Sequence, residues 1–452
     1  MGLWYIILAE LLMLIIVAAT FLAGTTNLGW FIIIFWTLLL WLCWLFWRGI
    51  KDDRTIRGNS LLLFLPVPII IILLHIFSSG KSGHPGEGLK ILADSDNGML
   101  MRIITLTLLV ILFQDVFSRI RNLRWFLSII GIAIVSGAIL RLQSQPCTTA
   151  QSTILVGLIG AGIFLTPIYL PQPYRNLRFE KMGINPATAE SIMRIILTAI
   201  FASYFLSSHP QAITAILLAA GGTAGALLLA GFFLKHYRVR LFLIGAILLA
   251  GVIVGSYRVS NGTFPLWDAN YYLSDAGISP WGNGGVNSSL PPARMSGLHA
   301  LVISAGWIGA SILICGLIIT ICWSLYVSRN AASGDQMRCV LWSVVSVISA
   351  CAVLGPAGLS GPVPAILLAL TWGLMPRIMA FRVRGYKGWS VVMFIIVIIV
   401  LMVLGLESRL SRSAWIAPFL KTASDDMMHF TATLLLTAVL YWLGRCNSWL
   451  RV

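Results

Sequence analysis

Long apolar runs alternate with polar connections along the whole chain. The first run, "LWYIILAELLMLIIVAATFLAG", matches the ~20 residues that a membrane-spanning helix needs. It exceeds a signal-peptide core and lacks a small-residue cleavage site after a basic start, so it predicts a retained helix. Fourteen such runs predict helices at 3–23, 28–48, 60–78, 99–118, 124–141, 153–170, 190–206, 211–234, 239–256, 298–326, 338–355, 361–381, 388–405 and 428–444. No internal repeat, heptad pattern or broken helix is read from them. The expected fold is an all-α polytopic membrane protein.

One stretch departs from this pattern. "PWGNGGVNSSLPPARMSGLH", Pro280 to His299, is rich in Gly, Asn, Ser and Pro. It closes the longest connection of the chain, 257–297. Irregular backbone of this polarity is tolerated at membrane depth only against protein or water. Two other polar segments have some length, 78–98 and 407–426.

Composition sharpens the picture. Hydrophobic residues make up 58% of the chain and charged residues 10%, against roughly 25% charged in soluble domains. Mean hydropathy is +0.92. No soluble domain of any size fits. The net charge of +16 reads as membrane topology rather than nucleic-acid binding, because Lys and Arg are retained in cytoplasmic connections. With both termini cytoplasmic, 22 of the 31 basic residues fall on the inner side, counting Arg194 at the inner end of its helix. Every inner connection is then basic, and 257–297 lies outside.

Candidate chemistry collects on that outer side. His75, His84, His209, His299 and His429 fall at or near it, and only His236 falls inside. Arg102, Arg141, Arg258 and Arg294 sit at outer helix ends or in the long connection. Arg suits two-pronged phosphate contacts, whereas headgroup snorkelling is the plainer role for any one of them. There is no P-loop, no HExxH and no G-x-S-x-G. The scattered cysteines form no C-x-x-C pair, so neither a disulfide framework nor a zinc site is indicated. Asn261 and Asn287 begin formal glycosylation sequons.

The long connection and its flanks resemble the O-antigen ligase and polymerase families. "YRVSNGTFPLWDANYYLSDAGISPWGNGG" supplies Arg258, Trp267, Asp275 and the glycines Gly282, Gly284 and Gly285, and "ISAGWIGASI" supplies Gly306 and Gly309. "IRNLRWFLSIIGIAIVSGAILRLQ" is similar to a helix upstream in those families, and Ser208-His209 stands where they carry Ser-Arg. Their His-Asn would fall near Met295 and Ser296; His299 lies one helical turn on. The same region also resembles the SEDS peptidoglycan polymerases, through "LPPARMSGLHALVISAGWIG" and "GLSGPVPA". Their essential Asp would fall at Ser296. "SDDMMHFTATLLLTAVLYW", with Asp425, His429 and Phe430, is similar to VanZ-like proteins.

These resemblances imply a GT-C type B bundle of about fourteen helices. A twelve-span unit would occupy 1–387, with a two-span VanZ-like segment at 388–452. The implied activity is a glycosyltransferase or ligase acting on polyprenyl-pyrophosphate-linked glycan at the outer face of the cytoplasmic membrane. Arg258, Arg294, Trp267 and Arg141 would hold the substrate, and His299 or His209 would act as base. No metal or cofactor is expected. Membrane lipid, the lipid-linked glycan and envelope-assembly proteins are the expected partners. A SEDS-like polymerase and a non-catalytic transporter or assembly partner remain open.

Overall fold

The computed structural model describes residues 37–44, 55–58, 99–118, 123–144, 147–170, 186–207, 213–259, 280, 297–355, 362–378 and 384–387. Nine helices follow in chain order: α1 (Met99–Phe117), α2 (Leu123–Ser144), α3 (Cys147–Leu165), α4 (Pro186–Ser207), α5 (Ile213–Phe233), α6 (Arg238–Val259), α7 (Gly297–Ser328), α8 (Ser333–Leu354) and α9 (Pro362–Ile378). They fall on nine consecutive expected spans. Helical residues 37–44 lie inside the expected 28–48 span. The spans expected at 3–23, 60–78, 388–405 and 428–444 lie outside the described residues. Among the described residues, the structure is helical apart from one short ribbon, β1 (Thr55–Gly58) paired antiparallel with β2 (Arg384–Lys387).

Among the described residues, seven helices, α2 to α8, are long and apolar enough to cross a membrane. This makes the chain a membrane protein. α1 and α9 contribute shorter apolar stretches, Thr105–Phe117 and Val363–Leu374.

Local sequence sets where the helices stop. Pro167 has no N–H, and the chain tightens there into a 3-10 turn, Thr166–Tyr169, which ends α3. α8 opens with Asp335 in its first turn, paired with Arg338 one turn on. A carboxylate there favours the positive end of the helix dipole.

Successive helices run in opposite directions. One end of the bundle, here the clamp end, holds the starts of α2, α4, α6 and α8. The far end holds the starts of α3, α5, α7 and α9. β1 packs against α1, and the ribbon follows α9, so it lies at the clamp end.

Lipid removes the hydrophobic drive between helices, and close packing takes its place. The Phe205 ring of α4 fills a notch over Gly157 of α3, where an added Cβ would sit 2.4 Å from it. Phe113 of α1 fills a similar notch at Gly373 of α9. Helix 37–44 runs parallel to α1, with Trp41 Nε1 donating to the Leu108 carbonyl at 2.9 Å and Trp44 Nε1 to Asp115 Oδ2 at 2.6 Å. Both indoles are buried.

Among the described spans α4 and α6 are the least buried, with only 11% of each spanning window buried. Their exposed side chains include Ile192, Ile196, Ile200, Leu243, Ile247 and Ile253. Such a surface suits lipid. Every large aromatic that is exposed among the described residues lies within two turns of a span end. Trp125, Phe232, Trp323 and Tyr326 mark the clamp end, and Tyr204 and Trp307 the far end. These are the two aromatic belts of a membrane protein.

The single helix expected at 298–326 is corrected. α7 is broken at Gly306, whose φ of 70° and ψ of −179° are non-helical. Only Gly306–Ser328 meets the length and composition of a span.

Candidate functional site

Two arrangements stand out, one at each end. At the clamp end, Arg124 of α2 and Arg194 of α4 share Glu190, one turn before Arg194. Arg124 grips the carboxylate with both prongs, Nη2 to Oε2 at 2.6 Å and Nε to Oε1 at 3.2 Å. Arg194 Nε donates to Oε1 at 2.8 Å.

The remaining donors tie in neighbouring elements. Arg124 Nη1 reaches the Leu170 carbonyl and Arg194 Nη1 the Phe164 carbonyl, each at 3.0 Å. Arg194 Nη2 reaches Ser128 Oγ at 2.8 Å. Its guanidinium also lies 4.8 Å from the centroid of the Phe164 ring.

The Phe164 and Leu170 carbonyls flank the point where α3 gives way to the 3-10 turn. Helix ends leave such acceptors without regular partners and carry negative potential, so two cations are well placed there. Both Arg side chains are buried and Glu190 is about a third exposed. The cluster joins α2, α3 and α4. Its chemistry is that of an ion network in which Arg124 Nη2 has the Glu190 ion pair and no hydrogen-bond partner, a structural clamp rather than a ligand site.

The far end is organised differently. Gly306–Ser328 has 23 residues and α8 has 22. These two neighbours run antiparallel through a short turn. At ~1.5 Å of rise per residue, Gly306 comes to about the level of Leu354.

Gly297 N–H, at the start of α7, donates to the Gly355 carbonyl at 2.9 Å. Both ends of 297–305 therefore lie at one level. This segment, here the arm, is set off from the span by the break at Gly306. Its Leu301 and Val302 side chains are fully buried. Just past the break, Ile308 N–H donates to the Pro280 carbonyl at 3.3 Å. Pro280 belongs to the long polar connection, which thus reaches the membrane part of the protein at the break.

No family model, curated protein or solved structure matches this chain.

The sequence-predicted site residues divide as follows. Arg141 lies in the last turn of α2, half-buried. Arg258 lies in the last turn of α6, and His299 in the first turn of the arm. All three positions are at the far end. The helices that carry them are not extensively packed on one another: α2 packs mainly on α3, α6 on α5, and α7 on α8. His209, Trp267 and Arg294 lie outside the described residues, as do nearly all of 260–296 and the whole VanZ-like segment.

Two interior features escaped the sequence reading. Asp115 is a fully buried carboxylate in α1. A seam of hydroxyls also runs through the α7, α8 and α9 contacts. It includes Ser324 and Ser328 of α7, Ser343, Ser346 and Ser349 of α8, and Thr371 of α9, all buried. Ser349 Oγ and Thr371 Oγ1 are 3.3 Å apart, and the Trp342 indole donates to the Thr371 carbonyl at 2.8 Å. Most of these hydroxyls return to a carbonyl one turn back in their own helix, as Ser343, Ser349 and Thr371 do. The recurrence of Ser every three residues along α8, at Ser343, Ser346 and Ser349, is the sequence signal for this seam.

Proposed function

We propose that this protein is a membrane glycosyltransferase or ligase acting on polyprenyl-pyrophosphate-linked glycan, with the far end of the bundle at the outer face of the membrane. The observation that carries this reading is the contact of Pro280 with Ile308. It brings the long polar connection to a backbone break at the edge of the membrane, where a lipid-borne substrate would present its headgroup. The basic connections at the clamp end favour a cytoplasmic position for that end. The resemblance of 257–297 and its flanks to the O-antigen ligase and polymerase families supplies the substrate class.

The chemistry asks little of the protein. A polyprenyl pyrophosphate is already a good leaving group. Guanidinium groups from Arg258 and Arg294 would take up charge as the sugar departs. A base, His299 or His209, would accept the proton of the acceptor hydroxyl. Trp267 and Arg141 would complete the substrate contacts. The last two expected spans would form a VanZ-like appendage.

The test is transfer from a lipid-linked oligosaccharide in membranes holding wild-type or variant protein. Loss of a charge-assisted phosphate contact is worth about 1.5–3 kcal/mol. Arg258→Ala and Arg294→Ala should each lower transfer roughly ten- to a hundredfold, and Lys should restore only part of it. Arg412→Ala should do much less. Normal transfer by both Arg258→Ala and Arg294→Ala would sink the reading.

A second reading has its own support. Transporters build sites at discontinuous helices, and α7 is discontinuous at Gly306. A non-catalytic transporter or assembly partner would retain lipid-linked glycan binding and show no transfer. A SEDS-like polymerase would instead elongate a peptidoglycan precursor in the same assay.

A further inference from the structure

α7 consists of two helical pieces meeting at Gly306. The φ of 70° at Gly306 is open to glycine and strained for any residue with a Cβ. The rod beyond it carries Trp307 at one aromatic belt and Trp323 and Tyr326 at the other. The rod is the part of α7 long and apolar enough to cross a membrane. The arm, 297–305, is joined to the rod through the break.

Two main-chain bonds hold this geometry, together with the fully buried Leu301 and Val302 side chains of the arm. At the arm's start, Gly297 N–H donates to Gly355. The approach is so close that an added Cβ on Gly297 would lie 1.9 Å from the Val353 carbonyl oxygen. At the break, Ile308 N–H donates to Pro280. Both acceptors adjoin polar connections of the far end. One follows α8, and the other is the long one between α6 and α7.

We propose that Gly306 is a pivot and the Gly297–Gly355 contact a latch, so that the arm of α7 has a latched and a released position. Release swings the arm about Gly306 while the rod stays in the membrane. The inference depends on the backbone of α7 and not on the glycan reading.

The experiment uses the full chain in lipid nanodiscs, its native cysteines replaced by Ala, with spin labels on Leu298→Cys and Ile319→Cys. An unbroken helix would separate these positions by about 31 Å. The latched wild type should give a distance clearly below that. Gly297→Ala should open the latch and broaden the distribution at least twofold. Gly306→Ala should move the mean toward the unbroken value. A control pair within the rod, Trp307→Cys and Tyr326→Cys, should keep one narrow distribution near about 28 Å throughout.

An unchanged 298–319 distribution in Gly297→Ala would overturn the proposal, as would a wild-type distance already at the unbroken value. If either variant fails to insert, hydrogen exchange on the wild type decides. Amides of 298–305 should exchange at least tenfold faster than those of 310–320, and equal protection would rule out a pivoting arm.

Discussion

Glu190 and Arg124 face each other across two helices with both prongs of the guanidinium on the carboxylate, the shorter at 2.6 Å. Arg194 completes the cluster from the same helix as Glu190. Removing the shared anion leaves two buried cations side by side. Glu190→Ala should therefore destabilise the protein by about 3–5 kcal/mol, read as a lowered midpoint of thermal unfolding in detergent. Replacing Arg124, Glu190 and Arg194 together by Leu or Met should recover most of the loss, because no charge is then left unpaired. A triple variant as unstable as Glu190→Ala would contradict that account.

The notch at Gly157 gives a packing test with an internal control. Gly157→Ala pushes a methyl into the Phe205 ring and should cost about 1–3 kcal/mol. Gly251, in the middle of α6, has nothing within 4 Å of an added Cβ. Gly251→Ala should raise stability by about 0.5–1 kcal/mol, since Ala loses less freedom in a helix. Matched unfolding curves of the two variants check the contrast.

The ribbon makes a prediction about sidedness. Thr55 lies opposite Lys387 in its register. Thr55→Cys with Lys387→Cys should crosslink under mild oxidation. A membrane-impermeant thiol reagent applied to intact cells should miss both positions and reach cysteines placed at 265–290 or 410–424. Reagent access to 50–57 from outside would reverse the proposed orientation.

β2 ends at Lys387, where the expected VanZ-like segment begins. A chain truncated after Lys387 should insert and elute as one species from a sizing column. Aggregation of the truncated chain would mean that 388–452 packs into the bundle as an integral part.

The apolar runs made the nine helices legible, because length and hydropathy alone decide whether a segment spans. The break in α7 has a sequence signal. At 29 residues, the run at 298–326 is too long for one ~20-residue span, and a Trp follows Gly306 directly. The ribbon had no such signal. "TIRG" and "RGYK" are too short for a periodic pattern, and their pairing joins distant parts of the chain.

The clamp was half legible. Arg194 was placed at the inner end of its helix, but its sharing of Glu190 with Arg124 is a tertiary fact. The far-end residues are legible as charged and imidazole side chains on the outer side of the expected topology, and the resemblance adds their roles. The structure sets the backbones of Arg141, Arg258 and His299 at one end of the bundle, on helices not extensively packed on one another.

The two aromatic belts carry a consequence for the host bilayer. From Trp307 to Tyr326 the rod of α7 rises about 28 Å at helical pitch, slightly less than an average hydrocarbon core. The whole rod, Gly306–Ser328, rises about 34 Å, so it is long enough to cross such a core with some tilt. A bilayer that departs from this length would deform around the rod at a cost of fractions of a kcal/mol per Å of mismatch.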